Sequence, residues 1–427
     1  MDFAREEEMI HQTTLPNGVL VFTEEMPGVE SVAVGFWADA GSVDEGESEY
    51  GLAHFLEHMI FKGTETRSAL ALAEEMEDVG GQINAYTERE LTHVYARALA
   101  EHLPVTVELL GDMICHSTFP QEELERERQV IVEEIRKYEA VPEERIHDLI
   151  METLWQDGGL GHAILGTVES VRGLTQNDLF AVWRRHFSTD HVVLTGVGKV
   201  KHEEFVELAA TAFAGLPAPP PLRLLQPAGT RMPRVIIEED EEQINFCWGG
   251  HSYPAGDDRN FALAILDAVF GASATSRLFQ EIREKRGLAY DIATEAIGFR
   301  DTGVFYATGA ASPENFPQVM ALMRGEVESL RRDGITEREL ARAKEQMKSG
   351  LAMALENSLE RMRRLATHYF TWHEIYPLRY LIQRLDRVSR DEVMQVITEV
   401  FDPDRWSFAA IGPLEETEEL PFLSAAG

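Results

Sequence analysis

Cysteine is almost absent from this chain. Cys115 and Cys247 are the only two in 427 residues, far apart and without metal-type spacing. That excludes a disulfide framework and a thiolate metal cluster, and leaves free thiols suited to a reducing compartment. No run of about 18 apolar residues occurs, so no helix is expected to cross a membrane. Positive charge is scarce: Lys and Arg total 39 against 74 Asp and Glu, a formal charge of −35. Phosphate backbones would be repelled, which argues against nucleic acid as a partner. The acids are spread along the chain, so most are solvated surface. Composition is equally compatible with a minority lining a cavity that favours basic substrates. The opening Met1-Asp2-Phe3-Ala4-Arg5-Glu6-Glu7-Glu8 has neither the basic start and apolar stretch of a signal peptide nor the Arg-rich character of a transit peptide. A cytoplasmic location is expected.

What is present points to two domains. A chain of 427 residues with 44% apolar content exceeds one ordinary core. Near its middle, Gly215-Leu216-Pro217-Ala218-Pro219-Pro220-Pro221, continuing to Pro227-Ala228-Gly229, reads as a semi-rigid linker. The expected division is 1–214, a linker over 215–230, and 231–427. The halves resemble each other. Leu174 to Leu179, a helix, His186-Phe187 and the strand Val192–Gly198 align without a gap, at an offset of 214, with Val388 to Val393, Val400-Phe401 and Ser407–Gly412. Thr175 and Ser389 suit helix N-caps. Pro120–Leu124 pairs likewise with Ile335–Leu340, the mark of a duplication. Each half opens with β-rich runs, Gly18–Thr23 and Ser31–Ala38, then Val235–Glu238 and Gln243–Trp248. Amphipathic helices and a closing strand follow. Strands grouped at the ends around a helical middle predict an α+β fold: two homologous domains, each a mixed or antiparallel sheet covered by helices.

The first half carries His54-Phe55-Leu56-Glu57-His58. Histidines four apart lie about 40° apart around a helix, so both rings leave one face, and Glu57 shares it. Two imidazoles and an adjacent carboxylate are what a hydrolytic zinc site needs: nitrogen ligands and a base for water. H-x-x-E-H is the inverse of the commoner zinc-protease order. The second half has no histidine between His251 and His368, so only one copy of the repeat carries the constellation. A catalytic zinc wants a third protein ligand, a His, Asp or Glu from another element. The helical run Gln121–Glu139 offers Glu127 and Glu134, two turns apart and expected to share a face with Val130 and Ile131. Buried carboxylates there need a cation or donors, and Glu134 is one candidate ligand.

Gly51-Leu52-Ala53-His54-Phe55-Leu56-Glu57-His58-Met59-Ile60-Phe61-Lys62-Gly63-Thr64 resembles the signature of the pitrilysin-type M16 metallopeptidases. It looks especially like the subfamily of mitochondrial processing peptidase β subunits and their bacterial homologues. Leu15–Gly18, Gly80–Thr87, Glu127–Glu134, Ile164–Ser170 and Arg283–Tyr290 extend the resemblance over nearly the whole chain. It implies that His54, His58 and Glu134 bind one zinc ion per chain, with Glu57 as general base and Glu127 behind the ligands. Asn84-Ala85-Tyr86 would be the edge strand onto which an extended peptide is added. Phe61 would wall the residue after the scissile bond, with ordinary core packing as the other reading. Glu144 and Asp148 would hold an arginine just upstream of the cut. Arg283 and Tyr290 would steady the substrate carbonyl from a partner chain, since this chain amounts to half of the family's clamshell. The resemblance thus implies a homodimeric zinc endopeptidase that cleaves unfolded, possibly basic, peptides in an enclosed chamber. The alternative is a non-catalytic structural or assembly subunit of the same fold, but such chains typically lose the zinc motif. Zinc rather than manganese or cobalt rests on availability and geometry.

Overall fold

A computed structural model of the chain describes residues 9–156, 159–219, 231–415 and 420. The acidic opening and the linker from 220 to 230 lie outside the described residues. The first half runs through β1 (Ile10–Thr14), β2 (Leu20–Glu25), β3 (Ser31–Ala38), α1 (Leu52–Met59), α2 (Ala69–Asp78), β4 (Gln82–Thr87) and β5 (Thr92–Leu99). It continues with α3 (Leu103–His116), α4 (Gln121–Glu139), α5 (Pro142–Leu154), α6 (Val168–Gly173), α7 (Gln176–His186), β6 (Val192–Gly198) and α8 (His202–Ala212). The second half runs through β7 (Arg234–Glu238), β8 (Ile244–Ser252), α9 (Asn260–Phe270), β9 (Ala289–Gly298), β10 (Gly303–Ala311) and α10 (Phe316–Asp333). It closes with α11 (Glu337–Ala354), α12 (Ser358–Trp372), α13 (Leu378–Arg387), α14 (Arg390–Val400) and β11 (Ser407–Gly412).

The expected α+β duplication is visible in the sheets. One has the strand order β1-β2-β6-β3-β5-β4, the other β7-β11-β8-β10-β9. Apart from the added β1 the orders correspond, and each sheet has one parallel pair, β2 with β6 and β7 with β11. Thr175 and Ser389 cap α7 and α14 by accepting from the main-chain N–H of Asp178 and Glu392, whose carboxylates reach back to close capping boxes. One expectation fails. Strands are not confined to the ends of each half, because hairpins β4–β5 and β9–β10 follow the first helix and join the sheets. Edge strand β4 buries only Ala85 fully, so it carries no apolar run to read.

Sheet burial explains why the compact units are not contiguous in sequence. In β3, Val32, Val34 and Phe36 join the main core with residues of α1, α3, α4, α7 and α8. Ala33 and Trp37 face the other way, against Phe22, Val193, Val197 and the α12 residues Met362, Leu365 and Ala366. A sheet buried on both faces needs cover on both. The first unit therefore takes in Ala352–Pro377, with α12, while the second takes in Tyr138–Gly161, with α5 packed on β8 and β11. Each compact unit thus includes one helix from the other half of the sequence. Both cysteines are buried and unpaired, and burial pushes the Cys115 thiol up to about 12.

The α12 face of the first sheet holds one buried charge cluster. Glu24 of β2 is fully buried and pairs with Arg361 and, at 3.3 Å, with Arg364 of α12. Removing one partner of a buried pair strands the others without compensation, at about 3–5 kcal/mol. Glu24→Gln is expected to lower the unfolding free energy by about 3 kcal/mol in a urea titration. Glu30→Ala, which removes the exposed partner of Lys199, should cost under about 1 kcal/mol. Equal costs would contradict this account of α12 attachment.

Candidate metal centre

Helix α1 is set in place from its N-terminus. Gly51 precedes it with φ of 88°, and a Cβ there would meet the Leu165 carbonyl oxygen at 2.5 Å, so glycine is required. The buried Glu45 carboxylate accepts from Gly51 N–H at 2.9 Å and Ala53 N–H at 2.6 Å. It thereby satisfies orphan donors and complements the helix dipole. His162 Nε2 lies 3.1 Å from the same carboxylate, and the His162 ring stacks on Tyr50 at 4.0 Å. Burial pushes the Glu45 carboxyl up, against the opposing pull of His162. Leu52, Ala53, Phe55, Leu56 and Met59 fill the core side of α1, which leaves His54, Glu57 and His58 for the other side.

Helix α4 supplies the facing wall. Leu124, Ile131, Val132 and Ile135 are buried, and so are Glu127 and Arg128. The Arg128 guanidinium lies 5.5 Å from the Phe55 ring centre of α1 and donates to the Leu174 carbonyl at 2.7 Å and to that of Val171. That fixes the rotation of α4 against α1. Ile131 is buried as expected from the pattern, but Val130 is exposed: the 3.6-residue period turns it out of the stripe that holds Glu127, Ile131 and Glu134.

Three of the expected residues converge. His54, His58 and Glu134 each offer a ligand atom within 4.8 Å of the others. Glu134 Oε2 lies 3.6 Å from His58 Nε2 and 3.9 Å from His54 Nε2, beyond hydrogen-bonding distance. Ligand atoms about 2.0–2.1 Å from a tetrahedral zinc lie roughly 3.4 Å apart. Three lone-pair donors grouped at such spacings fit a divalent cation, and a His₂Glu set suits zinc. Burial, then the neighbouring His58, pushes His54 down to about 3, so it stays neutral and able to ligate at ordinary pH. Its Nδ1 is buried without a hydrogen-bond partner among the described residues, and the two rings meet edge to face at 4.6 Å. His58 Nδ1 is 3.0 Å from Glu127 Oε2, whose other oxygen is 2.7 Å from Lys62 Nζ. This contact orients the His58 ring. Burial raises the Glu57 carboxyl, while hydrogen bonds from Thr87 at the end of β4 and the nearby His58 lower it.

The remaining candidates are placed as follows. Asn84, Ala85 and Tyr86 lie on β4, an edge of the first sheet. Phe61 is half-buried and packs on the first unit's core. Glu144 and Asp148 sit one turn apart on α5 in the second unit, where Tyr138 Oη donates to Asp148 Oδ2 at 2.7 Å and to the Glu144 carbonyl at 3.1 Å. Arg283, on a short π-helix, lies over the Tyr290 ring at 4.5 Å, and Tyr290 is 80% exposed. Sequence reasoning gave no role to Glu45, Lys62, Thr87 or Arg128. Lys62 and Thr87 lie inside recognisable motifs. Glu45 caps α1 from six residues before Gly51, a spacing no local capping rule covers.

Comparison with known proteins agrees with this geometry. Residues 20–168 match the insulinase family (peptidase family M16), and residues 173–347 match the peptidase M16 inactive domain. An uncharacterized zinc protease of Streptomyces coelicolor is 34% identical over 417 residues, 96% of this chain and 91% of the relative. The uncharacterized zinc protease YmxG of Bacillus subtilis is 34% identical over 405 residues, covering 95% of this chain and 98% of the relative. The chain belongs to peptidase family M16. Solved structures share the M16 fold at low identity. A peptidase M16 inactive domain from Pseudomonas fluorescens gives a TM-score of 0.89 at 19% identity, covering 96% of this chain and 99% of the other. A protease from Helicobacter pylori gives 0.88 at 20%, covering 94% and 99%. Within this M16 chain, α9 follows β8 as α1 follows β3, yet it contains no histidine, so the described metal-type cluster belongs to the first copy alone.

The ligand and orienting roles separate by metal analysis. His54→Ala, His58→Ala and Glu134→Ala are each expected to abolish stoichiometric zinc after gel filtration. Glu127→Gln should retain zinc with about 10–100-fold weaker affinity in a chelator competition. Full zinc retention by Glu134→Ala would remove that residue from the coordination set.

Proposed function

We propose that this M16 chain is a zinc-dependent endopeptidase acting on extended, unfolded peptides, of the type represented by processing peptidase β subunits and their bacterial homologues. The observation that carries the reading is the convergence of His54, His58 and Glu134 with Glu57 on the same helix as the histidines, hydrogen-bonded to the end of edge strand β4. A zinc ion held by the three ligands would supply Lewis acidity toward a peptide carbonyl and make water a better nucleophile. Glu57 accepts the proton of the attacking water and returns it to the departing amine nitrogen. Its burial suits that task, because a carboxyl raised toward working pH both takes and gives a proton readily.

The edge strand supports an extended substrate. Glu88 N–H bonds to the Leu91 carbonyl at 2.7 Å, closing the β4–β5 hairpin. Antiparallel alternation then directs the main-chain groups of Tyr86 and Asn84 toward β5 and those of Ile83, Ala85 and Thr87 outward. Consistently, Ala85 N–H is met by its neighbour's Asn84 Oδ1 at 2.9 Å. An added peptide strand displaces that side chain and pairs with the outward groups beside Glu57. The Arg283 guanidinium lies over the exposed Tyr290 ring, so the two donors stand side by side. In this reading they serve the substrate carbonyl of the other chain in a homodimer whose chamber admits unfolded peptides. Glu144 and Asp148 would take a basic residue upstream of the cut, and Phe61 would flank the residue after it. Among the described residues no helix is long and apolar enough to cross a membrane, and we assign the enzyme to the cytoplasm.

Glu57→Gln is expected to keep one zinc per chain while peptide cleavage falls at least about 100-fold. Mixing this variant with Arg283→Ala chains should restore part of the activity, because mixed dimers assemble one intact site. Cleavage that survives in Glu57→Gln would remove the residue from the reaction. Failure of the mixture to recover would contradict the shared site.

A further inference from the structure

We infer that Lys62 is a positioning residue of the metal centre, holding the Glu127 carboxylate in the orientation that presents His58 Nε2 to the ion. The inference rests on the reading of His54, His58 and Glu134 as zinc ligands. Lys62 follows the turn that closes α1, and its N–H donates to the Met59 carbonyl at 3.1 Å. The next turn is locked by Arg67, which pairs with Asp112 at 2.9 Å, Glu75 at 3.0 Å and Glu108 at 2.8 Å. The lysine therefore leaves a fixed piece of backbone, and its ammonium reaches Glu127 Oε1 at 2.7 Å.

A carboxylate torsion is broad and two-fold, so one contact alone holds it weakly. Glu127 has both oxygens engaged, one by His58 Nδ1 and one by Lys62 Nζ, which fixes its plane. Accepting from Nδ1–H selects the tautomer whose Nε2 lone pair faces the metal. Among the described residues His54 has no such partner on Nδ1, so this outer chain of contacts acts through His58. The pair is not an ordinary surface bridge of small worth: the Glu127 side chain is 10% exposed and that of Lys62 27%. Among the described residues, Lys62 is also the one Lys or Arg ion-paired with Glu127 or Glu134.

The two effects of the lysine pull zinc affinity in opposite directions. Fixing Glu127 strengthens binding, whereas the added positive charge weakens it. Because the ion meets His58 directly and Lys62 only through Glu127, orientation dominates. Chelator competition on the full-length protein measures the balance with zinc alone. Lys62→Met is expected to weaken zinc binding about tenfold, and Lys62→Arg to restore it to within about threefold of the parent by supplying the same charged donor. On a Glu127→Gln background, Lys62→Met should have no further effect, because the lysine's route to the metal is already cut. Lys62→Leu provides a second side chain without a donor should Lys62→Met fold poorly, with circular dichroism of the metal-free protein as the control. Unchanged or tighter zinc binding in folded Lys62→Met or Lys62→Leu overturns the inference, as does an equal loss on the Glu127→Gln background. A parent protein that takes up no zinc at His54, His58 and Glu134 would instead sink the metal site itself.

Discussion

Everything in the proposed chemistry depends on two helices holding three lone pairs toward one point. Imidazole and carboxylate groups gain little from facing each other at 3.6–3.9 Å, and a neutral His54 cannot pair with Glu134 as an ion. The cluster persists because its backbones are fixed by other forces. Glu45 holds the start of α1, Arg128 bridges α4 to Phe55 and to the Val171 and Leu174 carbonyls at the end of α6, and the apolar faces of both helices are in the main core. The protein thus spends packing energy to keep a site that is poorly satisfied without a cation, a common arrangement where function and stability compete.

The duplication sharpens that point. Two sheets of corresponding order and two capping boxes 214 residues apart describe one ancestral unit. Only the first copy places histidines on its first helix. In the second, α9 carries the partly buried Asp267, which accepts from Thr294 Oγ1 at 2.5 Å and is pushed up to about 6 by burial. The second copy instead exposes Tyr290, with the partly buried Arg283 lying over its ring. The scaffold is conserved in geometry while its polar groups have diverged, as expected where function lies in sites rather than in folds.

Much of this was legible in the sequence, for identifiable reasons. Strands β3, β6 and β11 are buried over most or all of their length, and such runs announce themselves. Helix α4 was readable because its apolar stripe repeats over 19 residues. The helix caps followed from Thr175 and Ser389. Edge strand β4 had no comparable signal beyond the family resemblance, since an edge next to a site keeps polar groups such as Asn84 and Tyr86 in solvent. The composition of the compact units was illegible too, because nothing local in Ser358–Trp372 says which sheet it will cover. Within the site, the two histidines and Glu57 were readable from helical periodicity. Glu134 needed a second helix, and Glu45 and Lys62 needed the fold itself.

The central claim is that His54, His58 and Glu134 form the inner ligand set of a single zinc ion. X-ray absorption at the zinc edge of the purified protein tests it most directly. The account predicts about two imidazole nitrogens and the balance as oxygen, all at roughly 2.0–2.2 Å. A sulfur shell near 2.3 Å, or an all-oxygen shell without imidazole scattering, would contradict it.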